Sequence, residues 1–128
     1  MVGIVVVSHS DLVARGVKEI AGQMASEVKI EAAGGTTDNR IGTAINKITE
    51  AIKKVYSEDG VMIFFDLGSA FMNTEMAIEF LDDSMKEKIQ IIDAPLVEGV
   101  ITAAVECSMN KNIEEIRMVL KEMALNKI

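Results

Sequence analysis

Four short apolar runs alternating with helix-period segments predict an α/β fold: a three-layer, doubly wound sheet, mainly parallel, with four core strands flanked by about five helices. Two observations favour parallel strands. Ile4-Val5-Val6-Val7 and Val61-Met62-Ile63-Phe64-Phe65 scarcely alternate, so both faces of these strands lie under helices. Strand and helix follow each other in turn with no Pro-, Gly- or Ser-rich linker between them, so residues 1–128 read as one domain.

The first strand spans Val2 to Val7, and Ser10 and Asp11 open a helix that carries Val13, Val17, Ile20 and Met24 at steps of four and three. A second strand, Val28 to Ala32, leads through Gly34-Gly35-Thr36-Thr37-Asp38-Asn39 to a helix on Ile41, Ile45, Ile48, Ile52 and Val55. The third strand is Val61 to Phe65, followed by a helix from near Ser69 to Leu81. Ile89 to Ile92 is the fourth strand, Pro95 shapes the next turn, and a helix runs from about Val97 to Met109. Asn112-Ile113-Glu114-Glu115 reads as a capped start for the last helix, with Ile113, Ile116, Leu120 and Met123 facing inward.

Composition removes several function classes. Twenty acidic residues against thirteen basic ones give a net charge of −7, the wrong sign for a nucleic-acid partner. No apolar run approaches the roughly 20 residues of a membrane span, and no basic segment precedes the first strand, so a cytoplasmic chain without a membrane partner is expected. With one histidine and one cysteine, a metal site would have to lean on carboxylates, which is uncommon, so none is expected, and Cys107, following Ala103, Ala104 and Val105, reads as a buried thiol. The nine methionines read first as core filling. Neither a Gly-x-x-x-x-Gly-Lys-Ser/Thr loop nor a Gly-x-Gly-x-x-Gly fingerprint is present, and no serine sits in Gly-x-Ser-x-Gly.

What remains is a constellation at strand ends. Ser8-His9-Ser10-Asp11 follows the first strand, and Asp66-Leu67-Gly68-Ser69-Ala70 follows the third. In the strand order 2-1-3-4 these ends flank the crevice where the chain changes direction, and His9 and Asp66 lie side by side. A carboxylate that accepts Nδ1–H fixes the tautomer, turns the Nε2 lone pair outward and stabilises positive charge on the ring. Ser10, Gly35, Gly68 and Ser69 are expected to rim the crevice, because helix amino termini and close-approaching glycines bind phosphoryl oxygens. One histidine, one aspartate and an anion-binding rim suit a phosphoryl group carried on nitrogen.

Val5-Val6-Val7-Ser8-His9-Ser10, Asp66-Leu67-Gly68-Ser69-Ala70 and Ala94-Pro95-Leu96-Val97-Glu98-Gly99, with Ala33-Gly34-Gly35 and Ile41-Gly42-Thr43 between them, carry a family resemblance over the whole chain. The sequence resembles the DhaM family, the phosphotransferase subunits of bacterial dihydroxyacetone kinase, within the mannose-type IIA domains of the phosphoenolpyruvate-dependent phosphotransferase system (PTS). The resemblance implies that His9 is the phosphorylated residue and Asp66 its hydrogen-bonded partner. It implies HPr as phosphoryl donor and ADP held by DhaL as acceptor, with DhaK served indirectly, a homodimer, and no tightly bound cofactor beyond the transient phosphoryl group. Other mannose-type IIA domains tend to show Gly-Gly after the aspartate where this chain has Gly68-Ser69, which separates it from the alternative of a sugar-transport IIA domain. A rival of another class, a receiver-like signalling domain phosphorylated on Asp66, would need an acidic pair after the first strand and a lysine near the last, where this chain has Ser8-His9-Ser10 and Ala94-Pro95.

Overall fold

In a computed structural model describing residues 1–128, four strands form one all-parallel sheet in the order β2-β1-β3-β4. They are β1 (Gly3–Ser8), β2 (Ile30–Gly34), β3 (Val61–Phe65) and β4 (Ile89–Ile92), joined and covered by α1 (Asp11–Met24), α2 (Ile45–Val55), α3 (Gly68–Glu79), α4 (Asp83–Lys86), α5 (Leu96–Ser108) and α6 (Ile113–Lys121). The doubly wound order expected from the sequence is present, and the sheet is parallel throughout. α4, a single turn, is the helix that apolar periodicity did not indicate.

Alternation along the strands divides the core in two. Ile4, Val6, Met62 and Phe64 point toward α1, α5 and α6, whereas Val5, Val7, Ile63 and Phe65 point toward α2 and α3. Every residue of β1 and β3 is buried, as their unbroken apolar runs require. Each large side chain so removed from water contributes roughly 1.5–3 kcal/mol, which makes a sliding register costly.

Three departures from the sequence reading have physical causes. α1 is helical as expected, but its inner face is Ala14, Val17 and Ala21, while Val13, Ile20 and Met24 are exposed. Gly34 explains the choice of small residues: a Cβ there would lie 2.8 Å from the Ala14 Cβ, so this helix rests almost on the backbone of β2. α2 begins at Ile45 and leaves Ile41 exposed, because the preceding segment turns at Asn39 (φ 62°) and Gly42 (φ 141°). β2 starts two residues later than Val28, which still packs into the core. α6 begins at the anticipated Asn112, whose side chain accepts from Glu115 N–H while the Glu115 carboxylate accepts from Asn112 N–H.

No helix is long and apolar enough to cross a membrane.

Candidate functional site

The site lies where β1 and β3 end. Val7 pairs with Phe65 as the last β1–β3 partners, so the chain emerges from both strands at the same height, placing Ser8 and His9 against Asp66. Four donors converge on the Asp66 carboxylate. Oδ2 accepts from the Ser8 hydroxyl at 2.8 Å and from His9 N–H at 3.0 Å; Oδ1 accepts from Leu67 N–H at 2.7 Å and meets His9 Nδ1 at 2.9 Å. Burial pushes this carboxyl upward, but the hydrogen bonds from His9, Ser8 and Leu67 outweigh it and hold the group below its ordinary value. An ionised carboxylate only accepts, so the proton of a neutral imidazole belongs on Nδ1 and the lone pair on Nε2.

Nε2 points outward, 2.5 Å from the Ser69 hydroxyl in the first turn of α3. With Nε2 as acceptor, Ser69 Oγ donates. The imidazole is therefore held at both nitrogens by residues of one segment, Asp66 to Ser69. Its backbone is also fixed, since the His9 carbonyl accepts from Gly42 N–H at 2.8 Å.

The four expected rim residues divide in two. Gly68 and Ser69 open α3, whose N-cap position, Leu67, makes no side-chain capping bond, and a Cβ on Gly68 would meet nothing within 4 Å. First-turn amides have no partner within the helix, an arrangement that favours anions, and the Ser69 hydroxyl of this turn lies beside Nε2. Ser10 and Gly35 have other work. Ser10 N–H donates to Ser8 Oγ, its own Oγ accepts from Val13 N–H, and Gly35 N–H donates to the Ser8 carbonyl. These two amides are engaged in bracing the loop that carries His9, whereas the Ser10 hydroxyl keeps its own proton to donate.

Sequence reasoning missed Ser8 as a site residue. The available signal was a serine directly after the unbroken apolar run Ile4 to Val7; the structure buries it fully, a position that requires a polar partner. Around the pair, the exposed apolar side chains Leu12, Ile41 and Leu67 come from the three segments that frame His9. No three His, Cys, Asp or Glu side chains converge to hold a metal ion.

Residues 3–117 match the model of the EIIA-man family, described as the PTS system fructose IIA component. The chain is 43% identical over 117 residues to the phosphoryl donor subunit DhaM of PEP-dependent dihydroxyacetone kinase 2 of Listeria innocua, covering 91% of this chain and 94% of that one. It is 34% identical over 125 residues to the phosphotransferase subunit DhaM of the PTS-dependent dihydroxyacetone kinase of Lactococcus lactis, covering 98% of each. Against the DhaM subunit of Escherichia coli the identity is 39%, and the match spans 25% of that longer protein. Among solved structures, a protein of unknown function superposes with a TM-score of 0.82 at 34% identity, covering 91% of this chain and 90% of its own. The EIIA component of Streptococcus agalactiae shares the fold, with a TM-score of 0.67 at 16% identity over 100% of this chain and 95% of its own.

Proposed function

Given that the chain belongs to the EIIA-man family of PTS IIA components, on its DhaM branch, we propose that it is a phosphohistidine carrier that charges His9 from phospho-HPr and discharges it to ADP bound by DhaL. DhaK is then served indirectly, through the ATP that DhaL regenerates. The reading extends to residues 1–128 acting as one IIA domain in the cytoplasm, as a homodimer, with no cofactor other than the transient phosphoryl group. The observation that carries it is the contact of His9 Nδ1 with Asp66 Oδ1 at 2.9 Å, which leaves Nε2 as the outward-facing nucleophile.

On charging, the Nε2 lone pair forms a bond to phosphorus as the donor's phosphorus–nitrogen bond breaks, and the imidazole becomes cationic. Asp66 stabilises that charge through Nδ1–H. On discharge, a terminal phosphate oxygen of ADP forms the new bond to phosphorus while the Nε2 bond breaks, and the ring returns to neutral. Both steps depend on alignment and charge stabilisation, so no general acid is needed. Ser69 must turn its hydroxyl from Nε2 to the phosphoryl oxygens, with the Gly68 and Ser69 amides at the start of α3 as further donors. Leu12, Ile41 and Leu67 supply an apolar border suited to a protein donor or acceptor.

The test is incubation with phosphoenolpyruvate, enzyme I and HPr. A label that is acid-labile, base-stable and absent from folded His9→Ala supports the carrier; a base-labile label retained by His9→Ala identifies an aspartyl phosphate and refutes it. Charged protein is then mixed separately with DhaL–ADP–magnesium, with a mannose-type IIB domain, and with free dihydroxyacetone. Discharge to DhaL alone is expected, and discharge to the IIB domain alone would move the chain to the sugar-transport branch.

A further inference from the structure

The segment that follows α6 folds back over the carboxyl ends of β3 and β4 and inserts a lysine beside the site. The β3–β4 ladder ends at the Phe64–Ile92 pair, and beyond it the strands part. Lys127 Nζ fills the gap, donating to the Phe65 carbonyl at 2.7 Å and to the Ala94 carbonyl at 2.8 Å, and lies 4.3 Å from the centre of the Phe65 ring. Asp93 holds the segment in place: its two carboxylate oxygens accept from Leu125 N–H at 3.4 Å and Lys127 N–H at 3.2 Å.

The Phe65 carbonyl belongs to the peptide group that carries Asp66. We propose that Lys127 is a positioning residue for Asp66, its ammonium locking the Phe65–Asp66 peptide plane so that the carboxylate stays aimed at His9 Nδ1. A peptide plane free to rotate at a strand end would swing the Asp66 Cβ, and the 2.9 Å contact to Nδ1 tolerates little swing. Charge-assisted hydrogen bonds to two carbonyls are strong enough for this role, particularly in a partly buried setting. The charged groups facing Lys127 are Asp93 and Asp66. Burial pulls the ammonium below its ordinary value against the opposing pull of both carboxylates, as expected for a cation partly withdrawn from water.

The inference rests on the carrier reading for its kinetic consequence but not for its geometric one, and the experiment separates the two. Lys127→Met keeps the stem and removes the donors; Lys127→Arg restores a cationic donor. Losing a charge-assisted bond that orients the catalytic pair is expected to lower the single-turnover rate of charging by phospho-HPr about 10-fold, with the half-saturating HPr concentration within about 2-fold of wild type. In the unphosphorylated protein, the His9 Nδ1–H proton resonance, which reports the bond to Asp66, should shift or broaden in Lys127→Met and return in Lys127→Arg. A role in stability alone would move neither readout in the folded protein. Should Lys127→Met fail to fold, Lys127→Gln, which keeps a neutral donor, carries the same two measurements. A folded variant with wild-type rate and an unmoved resonance overturns the proposal. A wild-type chain that takes no label from phospho-HPr sinks the carrier reading, while the resonance still decides the role of Lys127.

Discussion

Replacing Asp66 with asparagine changes one atom and has no harmless orientation. With its amide oxygen at the Oδ1 position, the new side chain keeps the bonds from His9 Nδ1–H and Leu67 N–H but aims its NH₂ at His9 N–H. With the oxygen at Oδ2 it keeps Ser8 and His9 N–H but aims NH₂ at Leu67 N–H and at Nδ1. The second orientation invites the imidazole to accept at Nδ1 and carry its proton on Nε2, which removes the nucleophile. Either way a backbone donor that cannot reverse faces another donor. Losing charge assistance and leaving one amide unsatisfied costs about 2–3 kcal/mol, toward the lower figure because the Asp66 side chain retains 22% of its accessible surface.

The kinetic loss should exceed the stability loss, because the cation that forms on His9 during transfer loses its counter-charge and part of the population adopts the wrong tautomer. By analogy with the same substitution in hydrolase triads, charging should slow roughly 10³–10⁴-fold. The assay is single-turnover labelling by phospho-HPr at saturating donor, paired with urea denaturation of the same preparation. Labelling within tenfold of wild type, in a protein destabilised as expected, would refute the idea that the carboxylate acts on the imidazole.

Gly34→Ala places a Cβ 2.6 Å from the Ser10 carbonyl and 2.8 Å from the Asp11 Cα, both backbone atoms, so α1 must retreat from β2 at a cost of about 1–3 kcal/mol by urea denaturation. A loss below about 0.5 kcal/mol would show that the helix start is not packed as described. Asp66 titrates lower in the fold than in the open chain, so the native state binds fewer protons between the two values; the stability this contributes is full above about pH 4 and falls as the pH drops through the folded value. Asp66→Asn should flatten that part of an acid titration followed by thermal unfolding, and an unchanged slope would assign it to other carboxylates. Cys107 is fully buried and its thiol is pushed up to about 12, so an aromatic disulfide reagent at neutral pH should react only as fast as the protein opens, and immediately in denaturant. Fast reaction in native buffer would contradict the packing of α5.

How far the sequence carried depends on how local each determinant is. The continuous apolar runs located β1 and β3 because burial on both faces leaves no other composition available. α1 was legible as a helix but not in its orientation: Val13, Ile20 and Met24 outrank Ala14 and Ala21 in hydrophobicity, and only the absent side chain of Gly34 shows that the buried face must be small. His9 and Asp66 were legible because strand order brings the ends of β1 and β3 together. That the Gly35 and Ser10 amides are already engaged was not legible, because a sequence cannot show which amides a loop uses for itself; theirs go to the Ser8 carbonyl and hydroxyl. Lys127 gave no local signal, since it acts on a carbonyl 62 positions earlier in the chain.

These contacts place the accuracy of the site in the sheet. Ser8 closes β1 opposite Gly34 on one side, and on the other its hydroxyl, past the Val7–Phe65 pair, reaches Asp66. A slip of one residue between β1 and β3 would turn Val7 and Phe65 out of their core and carry Ser8 out of step with the carboxylate. The apolar core that fixes register thus also sets the distance from His9 to Asp66, and the loops add only fine adjustment: Gly42 on the His9 carbonyl, Leu67 N–H on Oδ1, Lys127 on the Phe65 carbonyl. Substitutions deep in β1 or β3 that preserve folding but loosen register should therefore disturb phosphoryl transfer before they disturb overall structure, because a bond set at 2.9 Å fails over displacements that a packed core can absorb.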